Sequence, residues 1–257
     1  MEVTGFIDLL PLWSILPLTV AVALLSVECG YRVAIYRQRY SQEEKESPVG
    51  SMVGATLGLL AFMLAFTFGL AGSRFEDRRQ VVLSEANAIG TTYLRAAMLP
   101  EPMRMETKNL LREYVDARLE AVQSGKVAEA VLKSEELQNR LWSQAVAATE
   151  KDRSPITGLF VASLNEVIDL HAKRVMAGLR SRVPGVIWIV LYGLAILAMV
   201  MMGYHSGLVH SKRSIAVIAL VLGFSSVLFL IADLDRPAQG TLRVSQQSMI
   251  DLRRSMK

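Results

Sequence analysis

Two phenylalanines one helical turn apart, Phe62 and Phe66, stand in an uncharged stretch beside a row of small residues. Set at 100° per residue, Gly50, Gly54, Gly58, Ala61, Ala65, Gly69 and Gly72 fall within an arc of about 100°. Such a stripe lets helix backbones approach closely. In an oligomer with this helix at its axis, the rings would narrow a pore that gates by dewetting; in a lone bundle they would face lipid or pack on other helices. A second group follows down the same stretch: Arg74, Arg78, Glu85, Asn87 and Arg95. Glu85 and Asn87 lie about three turns past the apolar stretch. They would either line an ion vestibule or hydrogen-bond neighbouring helices together with Arg78 or Arg95.

Other polar groups have simpler roles. Glu28 and Arg32 have the spacing of a helix-surface ion pair. His205 and His210 sit in a polar turn beside Lys212 and Arg213, with no partner pattern. Asp233, Asp235 and Arg236 are expected to cap a helix and turn the chain at Pro237. No Ser/His/Asp or Cys/His arrangement, glycine-rich phosphate loop or His-Glu-x-x-His spacing occurs, so an enzyme, a metal site and a cofactor are not expected. The lone Cys29 precludes an intrachain disulfide, and Glu28 before it is wrong for lipoprotein processing.

The elements that position these residues follow from hydropathy. Over 257 residues, 52% are hydrophobic. That excess is concentrated in uncharged runs at 9–27, 47–73, 183–211 and 214–232. A ~30 Å hydrocarbon core needs about 20 helical residues, which these runs reach or approach. Because lipid offers the backbone no partners and the runs lack apolar/polar alternation, they are expected to be helices. Glu2 and Asp8 stand where a signal peptide would carry positive charge, so the first run is expected to remain.

The expected fold class is therefore all-α. It is an integral membrane protein with four transmembrane helices and a helical extramembrane domain inserted between the second and third. Residues 1–73 hold spans near 9–35 and 50–73, residues 74–182 form the domain, and residues 183–257 hold spans near 184–208 and 214–232 with a short tail. Within the domain, helices are expected up to about Leu99, over 101–123, over 127–149, and from Pro155 onward. The breaks fall at Pro100-Glu101-Pro102 and Gln123-Ser124-Gly125, and Ser154-Pro155 forms a start signal. Lys and Arg near span ends favour the domain's side, with Arg74, Arg78, Arg79, Lys173 and Arg174 among them. That places the domain and both termini in the cytoplasm. The net charge of +4 reflects these flanks, and no nucleic-acid surface is expected.

The stretch Gly58, Phe62, Phe66, Gly69 and Arg74-Phe75-Glu76-Asp77-Arg78-Arg79 resembles the second transmembrane helix of bestrophins, which are pentameric anion channels with four spans per subunit. By that resemblance Phe62 and Phe66 match bulky neck residues, Arg74-Phe75 matches an Arg-aromatic pair, and Gly58 stands at a third neck position. Over a longer range the chain is similar to the bacterial bestrophin-like domain family. The similarity runs through Glu85-Ala86-Asn87-Ala88-Ile89-Gly90-Thr91, Tyr93-Leu94-Arg95, Asp235-Arg236-Pro237, Gly240 and Arg243-Val244-Ser245. It implies a homo-oligomer, a pentamer by resemblance, in a bacterial inner (plasma) membrane, with membrane lipid around it and ions as its cargo. No acidic cluster matches a calcium clasp, so calcium gating is not implied. The competing expectation is a non-conducting sensor or scaffold whose helical domain binds a partner.

Overall fold

The computed structural model describes residues 10–40, 46–209, 215–236 and 240–256. Glu2, Asp8, His210, Lys212, Arg213 and Pro237 lie outside them. The described residues form α1 (Leu12–Tyr40), α2 (Glu46–Ala96), α3 (Met103–Ser124), α4 (Val127–Lys151), α5 (Pro155–Val175), α6 (Gly185–Leu208), α7 (Ile215–Asp235) and α8 (Gln247–Ser255). A π-helical turn at Met176–Arg180 follows α5. No strand occurs among the described residues, and α1, α2, α6 and α7 are long and apolar enough to cross a membrane. The chain is an all-α, multi-pass membrane protein.

The punctuation read from sequence is physical. Gly125 ends α3 in the left-handed conformation at φ 73°, which a side chain would resist. The Ser154 hydroxyl accepts from the Thr157 amide at 3.4 Å, with Pro155 in the first turn of α5.

The chain forms two compact units. One comprises Met1–Phe75 and Arg182–Leu242; the other comprises Glu76–Ser181 and Arg243–Lys257. In the first, α1 packs along α6 at backbone distance. A Cβ on Gly203 would fall on the carbonyl oxygen of Val27, and one on Gly30 would fall on that of Val200. Leu60, Leu64, Leu191, Met199, Val221 and Leu228 fill the core of this unit.

The end of α7 is tied by a carboxylate knot in the same unit. Asp233 accepts from the backbone N–H of Thr241 at 2.6 Å and of Leu242 at 3.3 Å, and from the Thr241 hydroxyl. Asp235 accepts from the Val183 amide at 2.8 Å, while Arg236 donates to the Leu10 carbonyl at 2.7 Å. Expected to cap α7, these side chains instead tie its end to the segment after it, to Val183 just before α6 and to Leu10, with Gly240 pressed so close that a Cβ would lie 2.8 Å from the Asp233 carbonyl oxygen. Asp233→Ala strands two amides, at a cost of about 1.5–3 kcal/mol. Tryptic cleavage after the exposed Arg243 should then accelerate roughly tenfold or more.

In the second unit, the later part of α2 packs with α3, α4, α5 and α8 around Ile89, Leu111, Tyr114, Leu141, Phe160 and Leu164. Here the structure departs from the sequence expectation. The last residues are not a tail of the membrane part but an element of this unit. Met249 and Met256 are buried in its core, and Leu252 packs against it. Arg253 grips Asp116 of α3 at 2.6 and 3.0 Å, and Arg112 donates to the Met256 carbonyl at 3.2 Å. A nine-residue helix is too short to announce itself by periodicity, so its amphipathic face emerges only when α3 is present to cover it.

Candidate functional site

The first site lies on α2 within the membrane unit. One side of the helix, with Val53, Leu60, Leu64 and Ala71, is buried against the chain's other spans. The opposite side is not covered by its own chain. Phe62 is 67% and Phe66 63% exposed. A Cβ on Gly54, Gly58, Gly69 or Gly72 would have nothing within 4 Å. Gly50 differs from the rest of the stripe, because a Cβ there would lie 3.1 Å from the His205 ring of α6. Arg74, at the end of this stretch, is half-buried.

The second site is a buried charge hub in the helical unit. Glu85 of α2 is fully buried. Its Oε2 accepts from Arg174 of α5 at 2.5 Å, and its Oε1 lies 3.2 Å from Nε of Arg118 on α3 and accepts from the Tyr114 hydroxyl at 3.1 Å. Gln138 of α4 donates to that hydroxyl at 3.3 Å, His171 Nδ1 lies 3.2 Å from it, and Arg174 donates to Gln246 ahead of α8 at 2.8 Å. Every helix of the unit, or the segment leading into it, thus sends a polar side chain to one point.

The electrostatics follow from that convergence. Burial works against the Glu85 carboxylate, but the charges of Arg174 and Arg118 and the bonds from Arg174 and Tyr114 outweigh it, leaving its pKa below the ordinary value. Burial, then the neighbouring carboxylate, pushes the Tyr114 hydroxyl upward, so it stays protonated. Burial, followed by the charge of Arg118, lowers His171 to about 4, so its imidazole is neutral at pH 7.

Of the five residues expected to form a polar cluster, only Glu85 belongs to this hub. Its partners include neither Arg78 nor Arg95. Arg95 donates instead to the Leu159 carbonyl at 2.8 Å, Arg78 is buried, and Asn87 is exposed. Sequence reasoning missed Tyr114, Arg118, Gln138, His171 and Arg174. The available signal was Arg118, four residues after Tyr114 on the apolar face of α3, where an arginine needs a buried counter-charge. Glu28 and Arg32 do pair, at 2.8 Å. No cluster of His, Cys, Asp and Glu suited to a metal occurs among the described residues.

Comparison with known proteins fits this architecture. A crystal structure of a mutant bacterial Bestrophin homolog from Klebsiella pneumoniae superposes with a TM-score of 0.70 at 17% identity, covering 95% of this chain and 97% of that one. A second mutant of that homolog gives 0.68 at 15% identity, covering 94% and 96%. At such identity the likeness establishes a shared fold. No curated protein matches the chain in sequence. The Bestrophin-like domain model matches residues 18–249, from within α1 to the first turn of α8, and the chain therefore belongs to the Bestrophin-like family.

Proposed function

We propose that the chain is one subunit of an oligomeric ion channel whose pore is lined by α2, with Phe62 and Phe66 as its hydrophobic constriction. The observation that carries this reading is the uncovered side of α2. A membrane helix that buries one side against its own bundle, and leaves two phenylalanines and four open glycines on the other, has a surface suited to like helices around an axis. Gly58 and Gly69 give those helices room to approach, and the paired rings form a gate by dewetting. Further along α2, Arg74 and the exposed Asn87 are the candidates for a polar vestibule, whereas Arg78 is buried within the chain and Arg95 is engaged with α5. Family resemblance favours a pentamer and anions, and the distribution of Lys and Arg favours a cytoplasmic helical unit in a bacterial inner membrane.

The test is single-channel recording of purified protein in a planar bilayer under a chloride gradient. Discrete currents reversing near the chloride potential are expected, with unitary conductance altered at least about twofold by the Phe62→Ala Phe66→Ala double variant, because the constriction sets the narrowest apolar radius. Silence across voltage and pH from folded, inserted protein overturns the channel and leaves the sensor or scaffold. Currents untouched by the double variant remove α2 from the pore.

A further inference from the structure

The buried hub carries an inference that does not depend on whether the chain conducts. Its protons can be counted. An ionised Glu85 has none to give, so the hydroxyl 3.1 Å from it must donate its single proton to the carboxylate. The Tyr114 oxygen is then an acceptor for its other two neighbours, Gln138 Nε2 and His171 Nδ1. His171 is therefore the Nδ1–H tautomer, a polarised row running from imidazole to phenol to carboxylate. Its other nitrogen, Nε2, carries the bare lone pair and is buried with no protein partner.

On the imidazole that leaves one place for an added proton, and a poor one. The groups facing the ring are Glu85 from α2, Tyr114 and Arg118 from α3, Gln138 through the phenol from α4, and Arg174 one turn along α5 itself. A proton on Nε2 makes a buried N–H without an acceptor and adds a third cation to two guanidiniums that share one carboxylate. We propose that His171 is an acid-triggered release for the hub: protonation at Nε2 expels the ring from the Tyr114–Glu85 row and frees α5 from α3 and α4.

The direction follows from linkage. His171 has a pKa of about 4 in the folded unit against 6.5 when unfolded or released. The released form therefore binds more protons between those values. The stabilisation from holding the ring neutral is complete above pH 6.5 and is lost as pH falls from there through about 4.

The experiment uses full-length protein in detergent micelles, labelled with ¹⁵N-histidine and titrated from pH 7.5 to 4. His171→Phe, or His205→Gln and His210→Gln by elimination, assigns the signals. At pH 7 the His171 signal should show Nδ1 protonated and Nε2 bare. Trp142, one turn from Gln138 on α4, reports the release by fluorescence, with Trp142→Phe as the blank. A reversible step is expected below pH 6.5 in the parent protein, absent or displaced downward by at least one pH unit in His171→Phe. The same step in His171→Phe overturns the proposal. An Nε2–H tautomer at pH 7, or Nε2 protonation with Trp142 unchanged, does so as well. Should His171→Phe fail to fold, the imidazole titration of the parent protein and its Trp142 signal decide the matter together.

Discussion

Replacing Glu85 with Gln should destabilise the protein by about 3–5 kcal/mol, because an amide of the same shape leaves two guanidiniums inside the helical unit with no counter-charge. For a chain of this length that corresponds to a fall of roughly 6–20 °C in Tm. The measurement is thermal unfolding in detergent, followed by circular dichroism. Glu28→Gln supplies the control, since its partner Arg32 is exposed and an exposed i,i+4 pair contributes no more than ~0.5 kcal/mol. The effect has a pH signature. Because the Glu85 carboxyl is held below its ordinary pKa, its contribution is present above the ordinary carboxylate range and lost as pH falls through the lower folded value. Glu85→Gln should lack that acid-labile component, so the gap between the two proteins narrows in acid. An unchanged Tm would mean that the arginines find other partners and that the hub is dispensable.

The second large effect belongs to the membrane unit. Gly203→Val is expected to cost ~3 kcal/mol or more, the upper range for overpacking, because the obstructing atom is the Val27 carbonyl, which cannot rotate away as a side chain would. The α1–α6 pair has to separate along its length, which should appear as a lowered Tm and as protease access to the α1 face. Gly54→Ala provides the contrast within the same membrane unit. It meets nothing within 4 Å in the single chain, so folding of the subunit should be unaffected or slightly improved by the helix preference of alanine. If Gly203→Val unfolds at the parent temperature, close approach of α1 and α6 is not what holds the spans together.

The spans and most helix ends were legible because hydrophobic length, prolines, Gly125 and Ser154 act locally. The observed α6, Gly185–Leu208, lies within one residue of the expected third span. Even the run of α2 out of the apolar stretch and into the domain could be read, since nothing between Ser73 and Ala96 breaks a helix. The candidate site was harder. Arg174 counted in the sequence as one of the positive charges beside a span, yet it lies in the hub 89 positions from its carboxylate partner. Glu85 invited nearby arginines as partners because they were visible on its own helix. Which arginine reaches it depends on how α3 and α5 stack, and no local spacing encodes that. His171 had no signature at all, because a histidine becomes informative only when its burial and its neighbours are known.

The placement of α8 sets an order of events during synthesis. The helical unit is built from residues before the third span, but one wall of it, with Met249, Met256 and the Gln246 contact to Arg174, comes after the fourth. A ribosome that has delivered α5 has therefore made a unit with an open side. Two further helices must leave the exit tunnel and be handed to the membrane before that side can be closed. If only one of α6 and α7 crossed the membrane, α8 would lie across the bilayer from its seat, with Gln246 out of reach of Arg174 and the methionines exposed. The helical unit therefore closes only on a chain in which α6 and α7 both cross.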